Sequence, residues 1–135
     1  MSGPEAASLV LDASAAVELM TGPLRRTIAA RLQDQVVAVP GHFDQEVLTA
    51  LRGLSFGGKI PLRVADQAVK ELGSLPFLRV DTVQLIDRTW ALRHNQYPGD
   101  GLYVALAEKL AVPLVTTDGK LSRATGVACT VELIT

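Results

Sequence analysis

The sequence predicts a three-layer α/β/α domain built on a parallel sheet. Five short apolar runs recur along the chain and none alternates apolar with polar residues, the pattern of strands buried on both faces. The segments between them carry helical spacing, so strands and helices alternate as in parallel crossovers, each expected to be right-handed. At 135 residues the chain has the usual size of one domain, and a single domain over 1–135 is expected, with a flexible stretch at 1–7.

The elements follow in order. Residues 8–12 form a first strand ending in an acid, and 13–20 the helix after it. Thr21, Gly22 and Pro23 break that helix, and Pro23 suits the entry to a second one over 24–32. Residues 36–39 form the second strand, closed by Pro40 and Gly41. A helix over 42–54 carries Phe43, Val47, Ala50, Leu51 and Leu54 on one face. A loop over 56–61 precedes a helix over 62–72, a third strand over 77–80 and a helix over 83–94 with mixed apolar spacing. After a polar turn at 95–99, residues 100–110 are apolar on nearly every side and read as a deeply packed helix. A strand over 114–117 ends in the turn pair Asp118-Gly119, and 128–134 forms the last strand.

Composition narrows the function. Apolar residues at 48% with 20% charged exclude a disordered chain, and no apolar run approaches the ~20 residues of a membrane helix. The first eight residues lack the basic start of a secretory leader, and the single cysteine, Cys129, cannot form an internal disulfide; a cytoplasmic protein is expected. A net charge of −1 argues against a chain that coats nucleic acid, while nine Arg against four Lys favour bidentate contacts. Mean hydropathy of +0.26 with little aromatic content points to apolar surface that a monomer does not hide, hence a homo-oligomer or a stable protein partner.

Ligands of parallel sheets bind beyond the carboxyl ends of the strands. Two strands finish in an aspartate there, Asp12 and Asp118, and Asp100 opens the buried helix, where the dipole favours an anion. Glu46 lies at the border of an apolar stripe, a costly place for an unpaired carboxylate. Singly, Asp12 and Asp100 read as helix caps, Asp118 as a turn residue and Glu46 as a solvated shoulder. Together at one sheet edge, with no matching set of bases, they would repel and raise their own pKa values unless a cation held them. Hard oxygen donors of this number suit Mg²⁺ or Mn²⁺, and the mildly basic remainder of the chain suits a polyanionic substrate.

Four segments in this order, VLDAS (10–14), FDQEVLTALR (43–52), DGLYVALAE (100–108) and LVTTDGKL (114–121), resemble the PIN-domain ribonucleases, and more narrowly the VapC toxins of bacterial toxin–antitoxin pairs. The likeness runs from about Leu9 to Leu133. It implies a five-stranded parallel sheet of order 3-2-1-4-5 and a Mg²⁺ (or Mn²⁺) site of Asp12, Glu46, Asp100 and Asp118. It also implies endonucleolytic cleavage of RNA, transfer or ribosomal, that stops translation until an antitoxin binds. The hydroxyls of Ser14 and Thr117 map to positions that orient carboxylates or metal-bound water from behind. A homodimer and a small VapB-type antitoxin are the implied partners, with no membrane and no DNA except through the antitoxin. Ions at the four acids would bind the scissile phosphate and activate water, leaving a 5′-phosphate and a 3′-hydroxyl. Two departures stand out: Pro98-Gly99 precedes Asp100 where the family has a bulky residue, and Gly101 replaces Ala.

Other residues carry less. His42 and His94 lack ligand spacing, Cys129 reads as a small buried hydrophobe in a strand, and Trp90 as core or interface packing. Arg25, Arg26 and Arg31 form a basic helix face. Arg93 is the candidate phosphate contact, and Tyr103, one turn after Asp100, is a candidate for stacking a base or bonding a carboxylate. A haloacid-dehalogenase-like phosphatase needs an acid where Ser14 stands, a receiver domain needs an acidic pair beside Asp12, and no glycine-rich dinucleotide turn is present. A PIN-like module that binds RNA or protein without cutting is the non-enzymatic alternative.

Overall fold

Leu9, Val10 and Leu11 are all wholly buried, which only a strand covered on both faces permits. The computed structural model describes residues 3–135. In it this strand, β1 (Leu9–Leu11), is the centre of the sheet: Val10 is paired with Ala38 on one side and Leu114 on the other. Its neighbours are β2 (Val37–Pro40) and β4 (Leu114–Thr116), with β3 (Leu78–Val80) and β5 (Val131–Leu133) at the edges. All pairings are parallel and the order is β3-β2-β1-β4-β5, as the resemblance implies.

The helices fall into two groups. α1 (Ala13–Thr21) packs against α2 (Arg25–Leu32), α3 (Phe43–Phe56) and α4 (Leu62–Ser74). α5 (Ile86–Ala91) packs on α6 (Pro98–Leu110), whose Tyr103 to Ala107 are all buried and which lies against β1, β2 and β4. At Gly101 a β-carbon would stand 3.3 Å from Thr89 Cγ2, so the missing side chain lets α6 approach α5 closely.

Several boundaries differ from the sequence reading. The expected helix over 83–94 is a 3-10 turn, Thr82–Leu85, capped by the Asp81 carboxylate through the Val83 N–H and followed by the short α5; the apolar positions form no continuous stripe. Trp90 is 64% exposed and is not core. α6 starts at Pro98 rather than Asp100, since the first helical position needs no N–H. Asp118-Gly119 is more than a turn: Asp118 accepts from Lys120 N and caps α7 (Gly119–Ser122). The last strand is shorter than 128–134, and half-buried Cys129 precedes it instead of lying within it. Pro4–Ala6 make a 3-10 turn within the stretch expected to be flexible; residues 1–2 of that stretch lie outside the described residues.

Two bidentate ion pairs fasten the far side of the sheet. Arg31 grips Glu132 of β5 (2.8 and 3.0 Å), and Arg88 grips Glu108, which also accepts from Ala128 N. Arg88 holds the Glu108 carboxyl below its usual 4.5. A depressed carboxyl stabilises the fold above the unfolded pKa and loses that contribution as pH falls through the folded one. Glu108→Gln is therefore expected to lower unfolding free energy by about 1–2 kcal/mol at pH 7. Urea titrations should show the difference closing below about pH 4.

Candidate active site

The chain leaves β1 toward β2 on one side and returns through β4 on the other, so the sheet has its topological switch point between these two strands. Asp12 directly follows β1, and Asp118 follows β4 by two residues. Both acids thus stand at the mouth of the crevice that the strand order creates. α6 adds Asp100 in its first turn and α3 adds Glu46 in its first turn.

Asp12 is only 5% exposed. Its Oδ1 accepts from Ser14 Oγ (2.8 Å) and Ala15 N (3.0 Å), the latter capping α1, and its Oδ2 accepts from Thr116 Oγ1 at 2.6 Å. Burial pushes this carboxyl above the usual range; the three donors pull it back and Asp118 pushes it up again. Thr116 is the residue that the sequence reading missed. Wholly buried at the end of β4, it donates to Asp12 and accepts from Asp118 N (2.9 Å), so one hydroxyl ties the two strand-end acids together. Thr117 stands one step further back: it donates to Ser14 Oγ (3.0 Å), not to a carboxylate. A polar residue on an otherwise wholly apolar buried strand was the available signal for Thr116.

The remaining acids interact through charge. Burial first, then Asp118 and Glu46, raise the Asp100 carboxyl, while His42 and Lys120 act the other way. Glu46 Oε1 accepts from the Tyr103 hydroxyl at 2.8 Å and lies 3.3 Å from His42 Nε2. Burial and Glu46 raise the Tyr103 phenol, which keeps its proton and serves as a donor. Tyr103 therefore bonds a carboxylate and packs in the core at once. Arg93 goes elsewhere: its guanidinium donates to Trp90 O and stacks 4.8 Å from the Trp90 ring centre. His42, set aside in the sequence, touches the site through its i,i+4 spacing to Glu46, and Lys120 reaches Asp100's field from α7. The apolar hollow lined by Ile86, Trp90, Pro98 and Leu102 contains no ionisable side chain.

The donor set fits a divalent cation. Asp12 Oδ2 has one protein donor, Asp118 Oδ1 takes the Lys120 N–H, and Glu46 Oε2 and Asp100 have no donor among the described residues. Each carboxylate thus keeps a free lone pair in a field that repels further negative charge. Among the described residues no three His, Cys, Asp or Glu side chains stand close enough to enclose an ion, so binding would draw the acids inward. Asp12 is the anchored one, and the others are more exposed.

Comparison with known proteins agrees with this geometry. The family model of the PIN domain matches residues 9–127. Ribonuclease VapC12 of Mycobacterium tuberculosis is 42% identical over 127 residues, covering 93% of this chain and 98% of the relative. The crystal structure of PAE2754 from Pyrobaculum aerophilum superposes with a TM-score of 0.70 at 21% identity, over 93% of this chain and 83% of that one. A chain of a toxin–antitoxin complex from Klebsiella pneumoniae superposes with a TM-score of 0.65 at 18% identity, over 88% and 93%. The chain belongs to the PIN domain family, within its VapC ribonucleases.

Without metal, Asp12 and Asp100 stabilise the fold only when protonated. That contribution is present below the unfolded value of 3.8 and lost as pH rises through the raised folded values. A cation takes the proton's place. The rise in melting temperature on adding Mn²⁺ is therefore expected to be larger at about pH 7 than near the unfolded value of 3.8, and to fall by at least half in Asp100→Asn. Thr116→Val strands Asp12 Oδ2 and Asp118 N and is expected to cost about 1–3 kcal/mol in EDTA, whereas Thr117→Val stays within about 0.5 kcal/mol; urea denaturation separates the two.

Proposed function

We propose that this chain is the toxin of a VapBC-type pair, a divalent-metal-dependent endoribonuclease whose action on transfer or ribosomal RNA halts translation until an antitoxin binds it. One observation supports the reading: Asp12, Glu46, Asp100 and Asp118, far apart in sequence, feel one another's charge, Asp118 acting on Asp12 and both Asp118 and Glu46 on Asp100, in a chain 42% identical to a ribonuclease.

Asp12, Glu46, Asp100 and Asp118 would hold the ion, with Mg²⁺ as the expected metal and Mn²⁺ as a substitute suited to the same oxygen donors. An ion held there would supply Lewis acidity toward a phosphodiester and toward water near neutral pH. The protein's own part is positional. Ser14 and Thr116 fix the Asp12 carboxylate, and Thr117 steadies Ser14. Lys120, exposed beside Asp100, would supply a positive charge where an anionic substrate arrives. No nucleophilic Ser, Cys or His is needed.

Exposed apolar side chains support a protein that works with partners, a second copy and an antitoxin. Val83 precedes α5 and Trp90 lies in it, and Phe56 and Leu62 stand where α3 gives way to α4. No helix among the described residues is long and apolar enough to cross a membrane; a cytoplasmic site of action is part of the proposal.

The purified chain is expected to cut RNA in Mg²⁺ or Mn²⁺ to products with 5′-phosphate and 3′-hydroxyl ends, and EDTA should stop it. Asp100→Asn should reduce cleavage by about 100-fold or more, since even groups behind a metal ligand are worth about 10–100-fold. It is a cleaner test than Asp12→Asn, whose amide meets the hydroxyl of Thr116 with N–H instead of an acceptor. RNA that stays intact at all metal concentrations would instead favour a binding module.

A further inference from the structure

We infer that His42, Tyr103 and Gly99 form a seat that sets the position of the Glu46 carboxylate, so that α3 and α6 deliver their acids as one unit. The inference rests on reading Glu46 as a metal ligand and concerns what places it.

Two donors converge on one oxygen. The Tyr103 hydroxyl donates to Glu46 Oε1 at 2.8 Å. His42 Nε2 lies 2.9 Å from Gly99 O and 3.3 Å from the same Oε1. A carbonyl only accepts, so Nε2 carries a proton and donates, and its N–H spans the carboxylate on α3 and the backbone of α6's first turn. The imidazole also stacks on Tyr103, with ring centres 4.9 Å apart. Its Nδ1 is buried without a partner. An unpaired buried polar atom works against stability, so what Nε2 holds explains the ring's place better than packing does.

Gly99 receives the other oxygen. It does not adopt a left-handed φ, so its conformation does not demand glycine. Space does: among the described residues, apart from its chain neighbours and its own helix backbone, a β-carbon at 99 would meet Glu46 alone, with Oε2 at 2.9 Å and Cδ at 4.0 Å. A methyl group there disturbs nothing but the carboxylate. With Oε1 occupied by protein donors, Oε2 is the oxygen left for a cation, and it lies beside the residue that precedes Asp100. The Pro98-Gly99 pair is thus matched to Glu46. His42, Tyr103 and Gly99 act through Glu46 and are positioning residues.

The test is a calorimetric titration of the metal-free protein with Mn²⁺, comparing wild type, Gly99→Ala, Glu46→Ala and the double variant. Gly99→Ala is expected to weaken Mn²⁺ binding about tenfold. Its melting temperature in EDTA should not fall, because alanine is the better helix former. In the Glu46→Ala background the same change should have no further effect, the signature of a residue acting through its neighbour. His42→Phe, which keeps the ring stack and loses the donor, should also weaken binding, and His42→Gln should restore most of it. Wild-type affinity in Gly99→Ala, or an equal loss with and without Glu46, overturns the seat while leaving Glu46 as a ligand. Failure of wild type to bind Mn²⁺, or unchanged binding in Glu46→Ala, overturns the ligand reading and the seat with it.

Discussion

A buried carboxylate at the end of the central strand constrains everything around it. Asp12 sits where β1 stops, and burial alone would favour its neutral form. It remains usable as an anion because its oxygens meet donors from three directions: the first turn of α1, Ser14 and Thr116. Those donors come from the helix that follows β1 and from β4, its neighbour at the switch point. Shortening β1, moving β4 by one residue or uncapping α1 would each strand the same charge. The register of the sheet and the geometry of the site are therefore a single requirement.

Around this anchor the acids differ in how firmly they are held. Asp12 is locked by hydrogen bonds, and Glu46 is held on one oxygen and open on the other. Asp118 spends one oxygen on capping α7. Asp100 has a helix dipole behind it and like charges beside it. A site graded in this way does not need four preformed ligands. In the proposed metal site the locked acid would define the place, and an entering cation would relieve the repulsion among the other carboxylates. An ion bound at this edge would thereby also stabilise the fold.

The three-layer architecture and the position of Asp12 at a strand end were legible in the sequence because both depend on local patterns, while the strand order came from the family resemblance. Short apolar runs mark buried parallel strands, and a strand's last residue must lie at the sheet edge wherever the strand goes. What escaped depends on contacts across the sheet. Thr116 and Thr117 are adjacent hydroxyls of equal chemistry, and only the pleat decides that Thr116 faces Asp12 while Thr117 faces Ser14. His42 looked isolated because its partner, Gly99 O, is 57 residues away. The break between the 3-10 turn and α5 is a local choice that average propensity does not resolve.

The placement of α6 shows how packing and chemistry share the same residues. Its buried face needs a close approach to the sheet and to α5, which Gly101 permits and Tyr103 fills. Yet Tyr103 is also the donor to Glu46, so the ring that completes the core also holds the acid on α3. Replacing it with phenylalanine would preserve the packing volume and remove the link. Stability and ligand placement, inseparable at Asp12, come apart here at a single oxygen atom. That makes the α3–α6 contact the part of the site where function can change without the fold changing with it.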